Sequence, residues 1–151
     1  MHLSNLLILL LNTHNIYPKE MILNSENNSD KQCHFLDINI TITDKNTIIT
    51  NVYDKRDDFN FNINNFPNLS GNVHYKRTHG MIISQLIRYG RICMNVDDFM
   101  ERSRVMINKL CNQFFNKKKL KKKFSFFYDK YYHIIEKYNM NRLCLMKHIF
   151  I

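Results

Sequence analysis

Along residues 34–42, HFLDINITI, the apolar Leu36, Ile38, Ile40 and Ile42 alternate with Asp37, Asn39 and Thr41. A period of two places those four side chains on one side of an extended chain and predicts a strand with one buried face. The polar cluster TDKN at 43–46 predicts a turn, and the β-branched run TIITNVY at 47–53 predicts a second strand. Together they predict an antiparallel β-hairpin over 35–53. Upstream, LSNLLILLLNTHNIYPKE predicts a helix over 3–15, closed near Tyr17-Pro18 because proline disfavours helical geometry in the residue before it. The polar stretch 24–31 reads as a loop.

Residues 54–77 are Asn-rich, contain Pro67 and Gly71, and predict an irregular linker. Three helical patterns follow over 78–138. The first has Thr78 as a candidate N-cap and carries Met81, Ile82, Gln85, Leu86 and Tyr89 along one side. The second opens at Asn95, with Asp98 at the third helical position in a capping-box-like start. Its apolar stripe is Phe99, Val105, Met106, Leu110 and Phe114. The third runs from Asn116 to Tyr138, with the stripe Leu120, Phe124, Phe127, Tyr131, Ile134 or Ile135, and Tyr138. Residues 139–151 form an apolar, basic tail that the pattern does not place. The expected architecture is α+β: an N-terminal helix, one hairpin, a linker and a three-helix bundle.

Charge sharpens this picture. The chain carries a formal +9, yet residues 1–75 hold 5 Lys/Arg against 8 Asp/Glu, and residues 76–151 hold 17 against 5. The excess of positive charge therefore lies in the helical half, where an anionic partner would be met. Abundant Asn, Lys and Ile with no Ala suggest an A/T-rich coding sequence, which accounts for some of the lysine. The four cysteines (Cys33, Cys93, Cys111 and Cys144) show no C-x-x-C spacing, so a disulfide framework and a zinc site are not expected. No cofactor is implied. The LLILLL run at 6–11 is too short to span a bilayer. It also lacks the flanks of a signal peptide. The expected setting is intracellular, in nucleus or cytoplasm, with no membrane partner and no secretion.

Two adjacent aspartate pairs invite a catalytic reading. Two-metal phosphoryl transfer needs convergent carboxylates holding cations about 4 Å apart. Asp97 and Asp98 follow a capping Asn, where carboxylates stabilise the helix N-terminus. Asp57 and Asp58 follow Lys55 and Arg56 and predict a self-neutralising turn. Neither pair predicts a metal site. The run KKKLKKK at 117–123 places six cations within two helical turns, where like charges four apart repel. A phosphate backbone would relieve that repulsion. Lys117, Lys118, Lys121 and Lys122 are the candidate contacts, joined by Arg88 and Arg91 of SQLIRYGRIC. For those two arginines, pairing with Asp57 or Asp58 is an equally physical alternative. Phe126, Tyr128 and Tyr132 are the candidates for exposed aromatics.

The order IYPKE, HFLDINI, TNVYDKRDDFNFNINNFP and GMIISQLIRYGRIC, followed by a basic helix ending in Tyr-rich sequence, resembles a known family over about 16–139. It is similar to the region after the catalytic motif in reverse transcriptases of animal retroelements, of Penelope-like and related non-LTR type. The resemblance implies a palm remnant over 1–53, with a primer-grip-like hairpin at 35–53, then a linker over 54–77 and a thumb-like bundle over 78–138. It also implies that the metal-binding aspartates lie upstream of this chain, so no catalytic residue is carried over. The expected partners are an RNA–DNA or other nucleic-acid duplex and the missing upstream palm and fingers. The alternative is a decayed or repurposed basic interaction protein whose lysine helix meets an acidic partner or a membrane surface.

Overall fold

The computed structural model describes residues 29–151 except 60, 62 and 64. The helix expected over 3–15 lies outside the described residues. The expected α+β class is observed: an antiparallel sheet precedes a helical bundle. The sheet has three strands in the order β1 (Gln32–Phe35), β2 (Ile38–Ile42) and β3 (Ile48–Val52). Five helices follow: α1 (Tyr75–Ile92), α2 (Val96–Asn112), α3 (Lys117–Lys130), α4 (Tyr132–Ile135) and α5 (Arg142–Ile149).

The run HFLDINITI is not one strand. It folds back at Leu36-Asp37, with Leu36 at φ 54°, so Phe35 pairs with Ile38 and Cys33 with Ile40. Left-handed backbone is unfavourable for a branched residue. Tertiary contacts hold the turn: Tyr53 N–H donates to Asp37 O at 2.9 Å, and Arg88 Nε lies 2.7 Å from Asp37 Oδ2. Alternation along the run cannot report such a reversal, because Leu36 keeps its apolar character in the turn.

Cross-strand register gathers Phe35, Ile38 and Val52, then Cys33, Ile40 and Thr50, then Ile42 and Ile48 on one face. That face meets the bundle at one corner only, the Val52 end of β3. Val52 is 2% exposed, whereas Ile48 is 58% exposed and Phe35 65%. The sheet and the bundle thus share one hydrophobic core, joined through Val52, Cys93 and Phe66.

Helix starts are partly as expected. Asn116 caps α3, its side chain accepting from Lys118 N at 2.9 Å and Lys119 N at 3.3 Å. Asn95 does precede α2, but it makes no capping bond; its Nδ2 donates to Asp98 Oδ2 at 3.5 Å. Thr78 is not a cap. Helix α1 starts three residues earlier, and the Thr78 hydroxyl donates to His74 O at 3.0 Å. Phe114 lies beyond α2 rather than in its stripe. It is 68% exposed at φ 65°, in the left-handed position after the helix. There Phe114 N–H reaches Cys111 O and Phe115 N–H reaches Leu110 O, the Schellman pattern that usually takes glycine.

The predicted third helix breaks at Tyr131. Beyond it α4 turns Ile134 and Ile135 onto α1, followed by a 3-10 turn over Glu136–Tyr138. The run YYHII favours such a break, since aromatic and β-branched residues lose rotamer freedom in a helix. The unplaced tail contributes α5, whose Leu145 and Ile149 are buried with Phe150 against α2 and α3.

The α1–α4 approach depends on Gly90. A Cβ there would lie 2.8 Å from Ile134 Cγ2, while one at Gly80 would meet nothing within 4 Å. Gly80→Ala should therefore stabilise the fold by about 0.5–1 kcal/mol through helix propensity. Gly90→Ala should instead destabilise it by about 1–2 kcal/mol through overpacking. Urea unfolding of both variants checks this, and equal shifts would show that α4 does not press on Gly90.

Candidate nucleic-acid interface

Helix α3 buries Leu120, Phe124 and Phe127 and turns Lys118, Lys119, Lys121 and Lys122 outward. Successive residues rotate about 100° around a helix. Lys118 and Lys122 therefore lie nearly opposite Leu120, at the solvent pole. Among the described residues, Lys118, Lys122 and Lys123 have no ion-pair partner. Six acidic side chains are engaged elsewhere, in Lys31–Asp44, Arg56–Asp54, Arg88–Asp37, Arg102–Asp57, Arg104–Glu101 and Arg142–Asp129. The first turn of α3 holds no acidic residue. Its cations thus face the positive end of the helix dipole as well as one another, and both terms are unfavourable without an anion.

Helix α5 runs antiparallel alongside α3. Lys117 Nζ donates to Ile151 O at 3.4 Å, and Lys121 Nζ sits 5.7 Å from the Phe150 ring centroid. Further along, Ser125 meets Met146, and Arg142 pairs with Asp129 at 3.1 Å. Between these contacts α5 carries Lys147 and His148, both exposed. The sequence offered a basic tail as a signal for them but no means of placing it.

Among the described residues no ion pair or hydrogen bond joins Arg88 or Arg91 to this cluster. Arg88 is held by Asp37, not by Asp57 or Asp58. Arg91 is exposed in the last turn of α1 and makes no ion pair among the described residues. Of the candidate aromatics, Phe126 is 49% exposed and Tyr132 38%. Tyr128 is half-buried, with its hydroxyl donating to Met140 O at 3.1 Å.

The aspartates of DKRDD act as a clamp. The segment forms a 3-10 turn over Lys55–Asp58. Asp54 caps this turn and takes Arg56 in a bidentate pair, both contacts at 2.7 Å. Asp57 pairs with Arg102 of α2, and Asp58 accepts from the Tyr53 hydroxyl at 2.6 Å. Asp97 and Asp98 lie in the first turn of α2. Among the described residues, no group of three His, Cys, Asp or Glu side chains could hold a metal ion. No helix among them is long and apolar enough to cross a membrane.

The Arg56 guanidinium, hydrogen-bonded to Asp54, holds that carboxyl below its ordinary value of 3.8, although partial burial opposes the shift. A lowered folded-state pKa stabilises the fold fully above the unfolded value, and this contribution is lost as pH falls through the folded one. Melting temperature should therefore drop as pH falls below 3.8, the ordinary value. Asp54→Asn should cost about 1 kcal/mol at neutral pH and flatten that acid limb. An acid limb identical in the variant would remove Asp54 as its source.

Comparison with protein-family models, with curated proteins and with solved structures finds no match, which leaves the geometry and charge of this chain to carry its functional reading.

Proposed function

We propose that this chain grips the backbone of a nucleic-acid duplex through the lysine face of α3, as the post-catalytic part of a reverse-transcriptase-like polymerase. The observation that supports it is that Lys118, Lys122 and Lys123, on a helix with no acidic residue in its first turn, have no ion-pair partner among the described residues. A phosphate backbone supplies the missing anions at regular spacing and releases its own counterions on binding. Lys118 and Lys122 are the leading contacts, with Lys121 flanking them. Arg88 drops out as a phosphate ligand, because Asp37 holds it.

The experiment is a fluorescence-anisotropy titration on an RNA–DNA hybrid at several salt concentrations. Each phosphate neutralised contributes about −0.9 to the log–log salt slope on B-form DNA. Replacing Lys118, Lys121 and Lys122 with Gln should flatten the slope by roughly one to three units. Affinity should fall about equally for every sequence, since phosphate contacts position a protein without reading bases. An unchanged slope would leave α3 as a solvated face.

The polymerase context predicts a second outcome. The purified chain should incorporate no nucleotide on any template-primer with Mg²⁺ or Mn²⁺, because Asp57 and Asp58 are engaged as clamp residues. Incorporation abolished by Asp57→Asn with Asp58→Asn would overturn that assignment.

A further inference from the structure

A shallow cleft of about 390 Å³ opens beside the 3-10 turn of DKRDD. Its floor is the exposed side of α2 at Val105 and Lys109, and Arg56 and Asp57 form one wall. Phe59 and Phe61 make the rim. Their rings lie 5.5 Å apart at 45°, and the two residues are 48% and 65% exposed. Two neighbouring phenylalanines held in water at the mouth of a cleft are an unfilled apolar surface, and this one has a charge beside it.

That charge is specific. Arg56 is held by Asp54 and Arg102 by Asp57, whereas Lys109 makes no ion pair among the described residues. These five groups sum to one positive charge, and it resides on Lys109. A matching ligand must offer a flat face to the rings and a negative charge to the ammonium. An acidic peptide supplies the charge without the flat face. An unpaired nucleotide supplies both.

We propose that this cleft binds an unpaired nucleotide of a single strand, with its base against Phe61 and Phe59 and its phosphate at Lys109. Aromatic side chains beside a cationic groove bind single strands in this way, tolerating any base because every base has a π face. The position suits the duplex reading without depending on it. Lys109 and Lys117 are eight residues apart, a span that cannot exceed about 28 Å. A single strand leaving a duplex on α3 can therefore reach the cleft.

The test uses the full chain with labelled oligo(dT), the RNA–DNA hybrid and a polyglutamate peptide as separate probes. Phe61→Ala should weaken oligo(dT) binding by roughly five- to a hundredfold, while Phe61→Tyr stays within about twofold of the parent. Lys109→Gln should flatten the single-strand salt slope by about 0.7. Hybrid binding should respond to neither change. Phe61 is largely exposed, so unfolding is not expected, and Phe59→Ala gives a second reading if the melt shifts. Unaltered oligo(dT) affinity in both alanine variants overturns the proposal. So does polyglutamate binding as tight as oligo(dT) with the same loss in Phe61→Ala. Failure of the α3 reading has a different signature: a hybrid slope indifferent to the lysine replacements, with oligo(dT) still sensitive to Phe61.

Discussion

The C-terminus of α1 is the joint on which the rest of the structure depends. A helix ends with carbonyls that its own backbone cannot satisfy. Here Ile92 O accepts from Thr50 Oγ1 at 2.6 Å, and Met94 N–H returns a bond to Thr50 O at 2.9 Å. Cys93 O accepts from Lys137 Nζ at 2.7 Å and from Tyr138 Oη at 2.6 Å. One helix end therefore fastens the edge strand of the sheet and the turn after α4 to the same point. Lys137 also places a cation at the negative end of the helix dipole, which is favourable there. Burial pushes the Tyr138 hydroxyl far above its ordinary titration range and raises the Cys93 thiol as well, so both stay neutral in the joint.

Around this joint the charges divide into two populations. Arginines and aspartates pair across elements, tying the sheet turn to α1 through Arg88–Asp37 and the 3-10 clamp to α2 through Arg102–Asp57. Partly exposed pairs contribute little energy each. Their geometric effect is larger, because each fixes the position of a loop that has few buried contacts of its own. Lysines concentrate at the N-terminal end of α3, where the helix dipole and neighbouring lysines oppose them. Lys117 reaches Ile151 O and Lys121 the Phe150 ring, while Lys118, Lys122 and Lys123 have no ion pair among the described residues. Charges that pair across elements thus tie loops to the bundle, while a cluster of lysines is displayed on the exposed face of α3.

Two bulky residues occupy backbone that glycine adopts more easily, Leu36 at φ 54° and Phe114 at φ 65°. Both are exposed, so neither gains burial in return. Their conformations are imposed by surrounding hydrogen bonds, the Tyr53–Asp37 contact in one case and the Schellman bonds in the other. At Leu36 a contact from a distant strand overrides local propensity, and at Phe114 the local helix-ending bonds do.

Local periodicity by itself determined the class of the fold, the second hairpin and most of the core. Ile82, Leu86, Phe99, Met106, Leu110, Leu120, Phe124 and Phe127 are all buried where their spacing put them. Helical and extended repeats are near-neighbour properties, so one sequence carries them. The Asn116 cap, the turn at Asp57 and Asp58, and the place of Asp97 and Asp98 in the first turn of a helix were legible for the same reason. Only tertiary structure decided the rest. The turn at Leu36-Asp37 is met by Arg88 of α1, the segment after the Tyr131 break packs on Gly90 of α1, and α5 lies against α2 and α3. The candidate surface divides along the same line. Six lysines within seven residues of one helix are visible as a run, but the pairing of Arg88 with Asp37, and the packing of α5 alongside α3, depend on elements distant in the chain. Contacts between residues distant in the chain leave no periodic trace in it.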